Sequence, residues 1–304
     1  EPIVLSVDQN IQFLTREILK YSMNLFDAKG ASSILLDAQS GKVISMVSLP
    51  DYNPNNRKEL VNKSNLFNKN TKGLYELGSI FKTFVIANAL EKNIVTRDKI
   101  YKNLPREVVC GKFPIREYRF SADKKNLSVN DILVESSNIG TIKIIQDSGL
   151  NSYRNFLENL EIFNSSAIEL PEVSFSTRKK WGKCNTLTAG YGHGINTTPI
   201  QLTRAFASII NGGNLLDVSL LKNKDIKFKT KIISKKNSEI MRKILRTNVD
   251  NNYSRGGSGR KADIEGYYVM GKTGTAQKPH KLIKGYSNEI LNIFTSAFKI
   301  NNKF

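Results

Sequence analysis

The stretch Gly78-Ser79-Ile80-Phe81-Lys82-Thr83-Phe84-Val85-Ile86-Ala87-Asn88-Ala89-Leu90-Glu91 decides how the rest of the chain is read. It predicts a helix that begins near Ser79, just after Gly78, and runs to about Glu91. Ile80, Phe81, Phe84, Val85, Ile86, Ala89 and Leu90 leave no polar face wide enough for solvent. A helix apolar on most sides belongs inside a folded unit, with other elements packed around it.

Those elements are legible on both sides. Asn10 to Phe26 carries Ile11, Leu14, Ile18, Leu19, Met23 and Leu25 near a 3.6-residue period, which predicts an amphipathic helix. Ala31 to Asp37 and Lys42 to Leu49 read as strands joined by the turn Asp37 to Gly41. Pro50 to Asn70 is polar and rich in Asn, and reads as a loop. Ser128 with Asp131 resembles a capping box opening a helix to about Glu135. Ile139 to Asp147 is a second helix, stopped at Gly149. Thr198-Pro199-Ile200-Gln201 is a helix start with a cap and a proline at the first position, and Asn211-Gly212-Gly213 is its end. Asp250 to Arg260 reads as a Gly/Ser/Asn loop, Tyr267 to Gly271 as a strand leading into Lys272, and Leu291 to Ile300 as its partner. Strands at both ends with helices between predict an α+β unit whose antiparallel sheet is closed by the two chain ends. The single domain spans residues 1–304, with sheet portions in 1–50 and 262–304 and a mainly helical portion in 75–215.

Composition narrows the class. No run approaches the roughly 20 apolar residues of a membrane span. The chain begins at Glu1 without an initiator Met, so it reads as a cut piece, leaving an upstream anchor open. The net charge of +19 is compatible with nucleic acid or an anionic surface. Its basic patches, such as Arg178-Lys179-Lys180 and Lys235-Lys236, have no base-stacking motif between them, so we read a solvated lysine-rich surface and no nucleic-acid partner. Cys110 and Cys184 show no metal spacing and are expected to be separate thiols. With only His193 and His280, a His-rich metal site is excluded, and His193 in Gly-His-Gly reads as a turn residue.

Three motifs carry chemistry: Ser79-Ile80-Phe81-Lys82, Ser136-Ser137-Asn138 and Lys272-Thr273-Gly274-Thr275. A serine hydroxyl is a weak nucleophile until a base takes its proton. Lys82, three residues on, shares a helix face with Ser79. Burial among Phe81 and Phe84, with Lys272 as a second cation, favours the neutral amine that a base requires. Ser136 and Asn138, in an extended connection between two short helices, would point the same way; Ser136 can relay a proton and Asn138 can hold a substrate amide. Lys272 and Gly274 share the inward side of their strand with Lys82, and Gly274 would let a substrate backbone approach closely. Thr275 offers a hydroxyl to a substrate carboxylate, Thr273 is a further candidate substrate-binding residue, and the backbone N–H groups of Ser79 and Thr275 would help form an oxyanion hole. Each motif alone also describes an ordinary capped helix, helix break or strand end. Their joint presence in this order is the signal.

With Tyr75-Glu76-Leu77-Gly78 before the serine and Gly271 before the lysine, this set resembles the transpeptidase domain of class B penicillin-binding proteins, whose motif set it matches closely. The likeness runs from Leu5-Ser6-Val7-Asp8 through Ala189-Gly190-Tyr191-Gly192-His193-Gly194 to Ala276-Gln277. The segment from Gly259-Arg260-Lys261-Ala262-Asp263 onward is most similar to the division-specific FtsI type, with the elongation-specific type its competitor. The resemblance implies a penicillin-binding protein and serine β-lactamase-like fold: an antiparallel sheet flanked by helices, plus an all-helical subdomain. It implies a further C-terminal strand, central in the sheet, and a helix, which this chain would lack after Phe304. It implies a periplasmic peptidoglycan D,D-transpeptidase on a single-pass inner-membrane anchor, acylated at Ser79 by D-Ala-D-Ala stem peptides or by β-lactams and resolved by an acceptor amine. Catalytic roles would fall to Ser79, Lys82, Ser136, Asn138 and Lys272, and substrate binding to Thr273, Gly274 and Thr275. Neither metal nor organic cofactor is implied. Its partners would be membrane-bound division proteins, including a glycosyltransferase. Open alternatives are a serine β-lactamase, a β-lactam sensor domain and a non-catalytic scaffold of the division complex.

Overall fold

In the computed structural model, which describes residues 2–56, 65–118, 125–176, 181–279 and 285–300, the first element is helix α1 (Gln9–Leu25). Its cap is Asp8, whose carboxylate accepts the Ile11 N–H at 3.0 Å. None of its residues is buried, and Phe13, Leu14, Ile18 and Tyr21 are exposed. It is held to the sheet by Gln12, whose Oε1 accepts from Ser45 Oγ and Met46 N while Nε2 donates to Met46 O. Strands β1 (Ala31–Leu36) and β2 (Val43–Leu49) form the expected antiparallel hairpin. Alternate residues of β2 are buried, as a one-sided sheet requires.

Strand β3 (Tyr75–Glu76) leads through a 3₁₀ turn at Gly78–Ile80 into α2 (Phe81–Glu91). Every residue from Phe81 to Leu90 is buried, and Phe81 and Phe84 meet edge to face with centroids 5.6 Å apart. The short strand β4 (Ile100–Tyr101) is followed by the hairpin β5 (Glu107–Cys110) and β6 (Phe113–Arg116), then by β7 (Leu127–Ser128), which pairs with β4. Helix α3 (Val129–Val134) has the capping box, with both reciprocal bonds between Ser128 and Asp131. Helices α4 (Asn138–Ser148) and α5 (Leu150–Asn159) follow, and α6 (Lys183–Ala189) packs on both. After β8 (Asn196–Thr197), the partner of β3, helix α7 (Pro199–Ile210) starts at the Thr198 cap and stops at Gly212 and Gly213, whose φ values of +96° and +94° suit glycine. Strands β9 (Asn214–Leu216) and β10 (Phe228–Lys231) pair, and α8 (Lys235–Thr247) returns to pack on α2, α3 and α7. Lys235-Lys236 opens α8, while Arg178-Lys179-Lys180 lies outside the described residues. The chain closes with β11 (Met270–Pro279) and β12 (Tyr286–Ala297), paired antiparallel with Lys272 opposite Thr295 and Gly274 opposite Ile293.

Two expectations are corrected. The sheet does not close as one body: among the described residues, β1–β2 and β11–β12 are separate two-stranded ladders. Lys29, just before β1, pairs with Glu289 on β12 at 2.6 Å. The cysteines are not separate thiols. Cys110 and Cys184 form a disulfide across 74 residues of sequence, because the β5–β6 hairpin folds onto the start of α6. Sequence spacing carries no trace of that approach. Among the described residues no helix is long and apolar enough to cross a membrane.

Candidate active site

Ser79 is presented by the tight turn that precedes α2. Gly78 adopts φ +58°, and a β-carbon there would stand 2.6 Å from Thr275 O, so the serine turn lies directly against the β11 backbone. One helical turn on, Lys82 is 1% exposed and its Nζ lies 2.9 Å from Ser79 Oγ. The same nitrogen lies 2.5 Å from Ser136 O, 2.8 Å from Asn138 Oδ1 and 3.1 Å from Ser136 Oγ. Two of these partners, the Ser136 carbonyl and the Asn138 amide oxygen, can only accept. They occupy both N–H bonds of a neutral amine, and the lone pair is then left for a hydroxyl. Burial first, and Lys272 second, hold the Lys82 ammonium well below its ordinary pKa, against the opposing pull of Glu117.

The Ser136–Asn138 segment is not extended, as the sequence predicted. Ser136 turns the chain at φ +58° between α3 and α4, Ser137 caps α4 by accepting from Gly140 N at 2.8 Å, and Asn138 is the first residue of that helix. The left-handed turn, rather than strand alternation, is what aims both Ser136 and Asn138 at Lys82.

On β11, Lys272 and Gly274 are buried, Thr273 is half-buried and Thr275 is exposed, the alternation of a strand with one covered face. The room left by Gly274 is taken by the protein itself: a β-carbon there would meet Leu77 O at 2.5 Å and Ile80 at 3.0 Å. Its lack of a side chain admits the serine turn. Lys272 is fully buried, and its Nζ has no hydrogen-bond partner among the described residues. Burial lowers its pKa to about 7. The expected cation is thus a buried amine whose charged form burial disfavours. Thr273 Oγ1 touches Ser258 Oγ, and Thr275 Oγ1 reaches Asn292 Oδ1 at 3.5 Å. Asn248 braces this edge, its Nδ2 donating to Gly271 O at 2.8 Å and its carbonyl accepting from Gly259 N.

The structure adds residues that sequence reasoning missed. Glu117 accepts from Ser137 Oγ, Asn138 N and Ile139 N. Glu76 accepts from Tyr286 Oη at 3.0 and 3.1 Å and from Gly194 N at 3.1 Å. His193 does sit in a turn between two glycines of positive φ, but its ring also meets Tyr286 Oη and stacks near Tyr191. Arg255 pairs with Glu135 at 2.5 Å, beside the Ser136 turn. These contacts join segments distant in sequence, and no local pattern marks them.

Comparison with known proteins agrees with this geometry. Residues 31–303 match the family described as the penicillin binding protein transpeptidase domain. A probable peptidoglycan D,D-transpeptidase FtsI of Caulobacter vibrioides is 30% identical over 95% of this chain and 48% of its own length. The peptidoglycan D,D-transpeptidase FtsI of Buchnera aphidicola is 30% identical over 99% of this chain and 52% of its own. The chain thus spans about half the length of these curated relatives. Among solved structures, the apo TP domain of Burkholderia pseudomallei penicillin-binding protein 3 superposes with a TM-score of 0.85 at 25% identity, covering 99% of this chain and 85% of that one. Penicillin-binding protein 3 of Mycobacterium tuberculosis, complexed with aztreonam, shares the fold with a TM-score of 0.89 at 22% identity, over 99% of this chain and 70% of that one.

Proposed function

Because this chain belongs to the penicillin-binding protein transpeptidase family, we propose that it is the acyl-transfer domain of a peptidoglycan D,D-transpeptidase of the FtsI type, acting in septal wall synthesis. The observation that carries the reading is the 2.9 Å approach of Lys82 Nζ to Ser79 Oγ, with the same nitrogen held by Ser136 and Asn138.

In this mechanism neutral Lys82 removes the Ser79 proton as Oγ attacks the carbonyl of the penultimate D-Ala of a stem peptide. The backbone N–H groups of Ser79 and Thr275 stabilise the oxyanion. Collapse breaks the C–N bond, and the proton passes from Lys82 through Ser136 to the departing D-Ala amine. An acceptor amine from a neighbouring stem then attacks the ester, forms the new amide and returns Ser79 to its hydroxyl. Asn138 orients the donor amide. Thr273 and Thr275 bind the donor carboxylate, with Lys272 protonated beneath it when that charge arrives. Gly274 lets the substrate backbone lie close along this strand, and its lack of a side chain also admits the serine turn. A β-lactam presents the same carbonyl, but its leaving nitrogen stays tethered, so the acyl-enzyme persists.

We place the domain in the periplasm, tethered by an inner-membrane anchor outside this chain, beside division proteins that include a glycosyltransferase. The Cys110–Cys184 disulfide supports an oxidising compartment. Intact-mass analysis after incubation with benzylpenicillin tests the reading. We expect a long-lived penicilloyl adduct on Ser79 that disappears in Ser79→Ala. No adduct would overturn it, and prompt release of the hydrolysed drug would make the protein a β-lactamase.

A further inference from the structure

Lys82 takes its hold from the turn at Ser136–Asn138, and that turn is itself held from outside. The hairpin β5–β6 ends at Arg116 and Glu117, whose N–H is fixed to Arg106 O at 3.0 Å. From there Glu117 Oε1 accepts from Ser137 Oγ at 2.5 Å and from Ile139 N at 2.8 Å, and Oε2 accepts from Asn138 N at 3.0 Å. The Asn138 side chain is gripped as well, its Nδ2 donating to Arg116 O at 2.9 Å while its Oδ1 receives Lys82. One carboxylate therefore satisfies two free N–H groups of the first turn of α4 and the hydroxyl that caps it. At the other end of the hairpin, Cys110 is bonded to Cys184 at the start of α6.

Taking the acyl-transfer reading as given, we propose that Glu117 is a positioning residue of the reaction: its carboxylate fixes the Ser136–Asn138 turn against Lys82, and the disulfide-anchored hairpin is the strut that carries it. It touches neither the serine nor a substrate, and acts through Ser137 and Asn138.

The charge matters as well as the geometry. The charged groups around this turn are Lys82 on α2, Lys272 on β11, Glu117 and Arg116 on the hairpin, and Arg255 with Asp131 on α3 and Glu135 at its C-terminal end. Arg116 is occupied by Glu107 at 2.8 Å, and Arg255 by its two carboxylates. Glu117 favours the protonated form of Lys82, opposing burial and Lys272. It therefore raises the proton affinity of the amine, against burial and Lys272. Glutamine would remove that charge, and would set an NH₂ against one of the N–H groups that the carboxylate now accepts.

The experiment compares wild type, Glu117→Gln and Glu117→Asp. The rate of acylation by a fluorescent penicillin is followed from pH 5 to 9, and the lysine titration is read by ¹³Cε NMR. In Glu117→Gln we expect the plateau rate to fall about tenfold or more through misplacement of the turn. The acid limb of the profile and the Lys82 midpoint should move to lower pH, because a negative neighbour has been lost. Glu117→Asp keeps the charge but draws it back by one methylene, so the rate should fall while the limb stays; this variant decides the matter where the glutamine variant fails to fold. A Glu117→Gln profile that superposes on wild type in both plateau and limb overturns the assignment. Absence of acylation in wild type overturns the transfer reading instead. The NMR titration still tests the coupling in that case, and an unmoved Lys82 midpoint sinks it.

Discussion

A β-carbon on Gly192 would stand 2.1 Å from the carbonyl oxygen of Gly78, so the loop that carries His193 is pressed against the turn that presents Ser79. Gly192 also has φ +81°, a conformation that alanine adopts only under strain.

Gly192→Ala should therefore displace the turn that presents Ser79. We expect a stability loss of about 1–3 kcal/mol from the backbone conformation and the clash together. Penicillin acylation should slow more than urea unfolding alone explains. Wild-type acylation in a destabilised variant would show that the contact is merely structural.

Lys82→Met removes the proposed base and should slow acylation by on the order of a thousandfold, with the fold retained. Wild-type acylation should rise with pH as Lys82 loses its proton, with a midpoint well below the ordinary lysine value because burial and Lys272 disfavour the charge. A flat profile, or a variant that acylates at the wild-type rate, removes Lys82 from the reaction.

Lys272 makes a prediction about stability. Its folded pKa of about 7 lies far below the 10.5 of an unperturbed lysine. Between those values the unfolded chain binds more protons than the folded one, so stability rises with pH across that window. The largest gain from this residue is on the order of 5 kcal/mol. Lys272→Met should flatten that rise and be more stable than wild type below pH 7, as read by urea denaturation at several pH values. Equal slopes in both proteins would place a charged or solvated amine at this position.

Reducing Cys110–Cys184 frees a closed loop with a sequence separation of 74 residues. We expect a loss of about 2–4 kcal/mol, measured as a lower urea midpoint in reductant and reproduced by a Cys110→Ser, Cys184→Ser double variant. An unchanged midpoint would mean that the hairpin holds its place without the bond.

Much of this molecule was readable before any coordinates. The buried helix after Ser79, the Ser128–Asp131 capping box and the Thr198-Pro199 start lie where local patterns put them. The strand carrying Lys272 to Thr275 is present but begins at Met270, three residues after the expected start at Tyr267. Each depends on neighbours three or four positions away along a helix, or two along a strand, and short stretches of sequence encode those relations directly. For the same reason the sequence alone placed Lys82 one helical turn from Ser79.

Tertiary structure decided what lies between distant segments. It joined Cys110 to Cys184, separated the two hairpins, seated Gly274 against Leu77, buried Lys272 without a partner and brought Glu117 to the start of α4. It also replaced an extended connection at Ser136 with a left-handed turn. Such outcomes depend on which surfaces pack together once the whole chain has collapsed, and on how much water each amine or carboxylate then loses. A residue's neighbours in sequence do not specify either quantity.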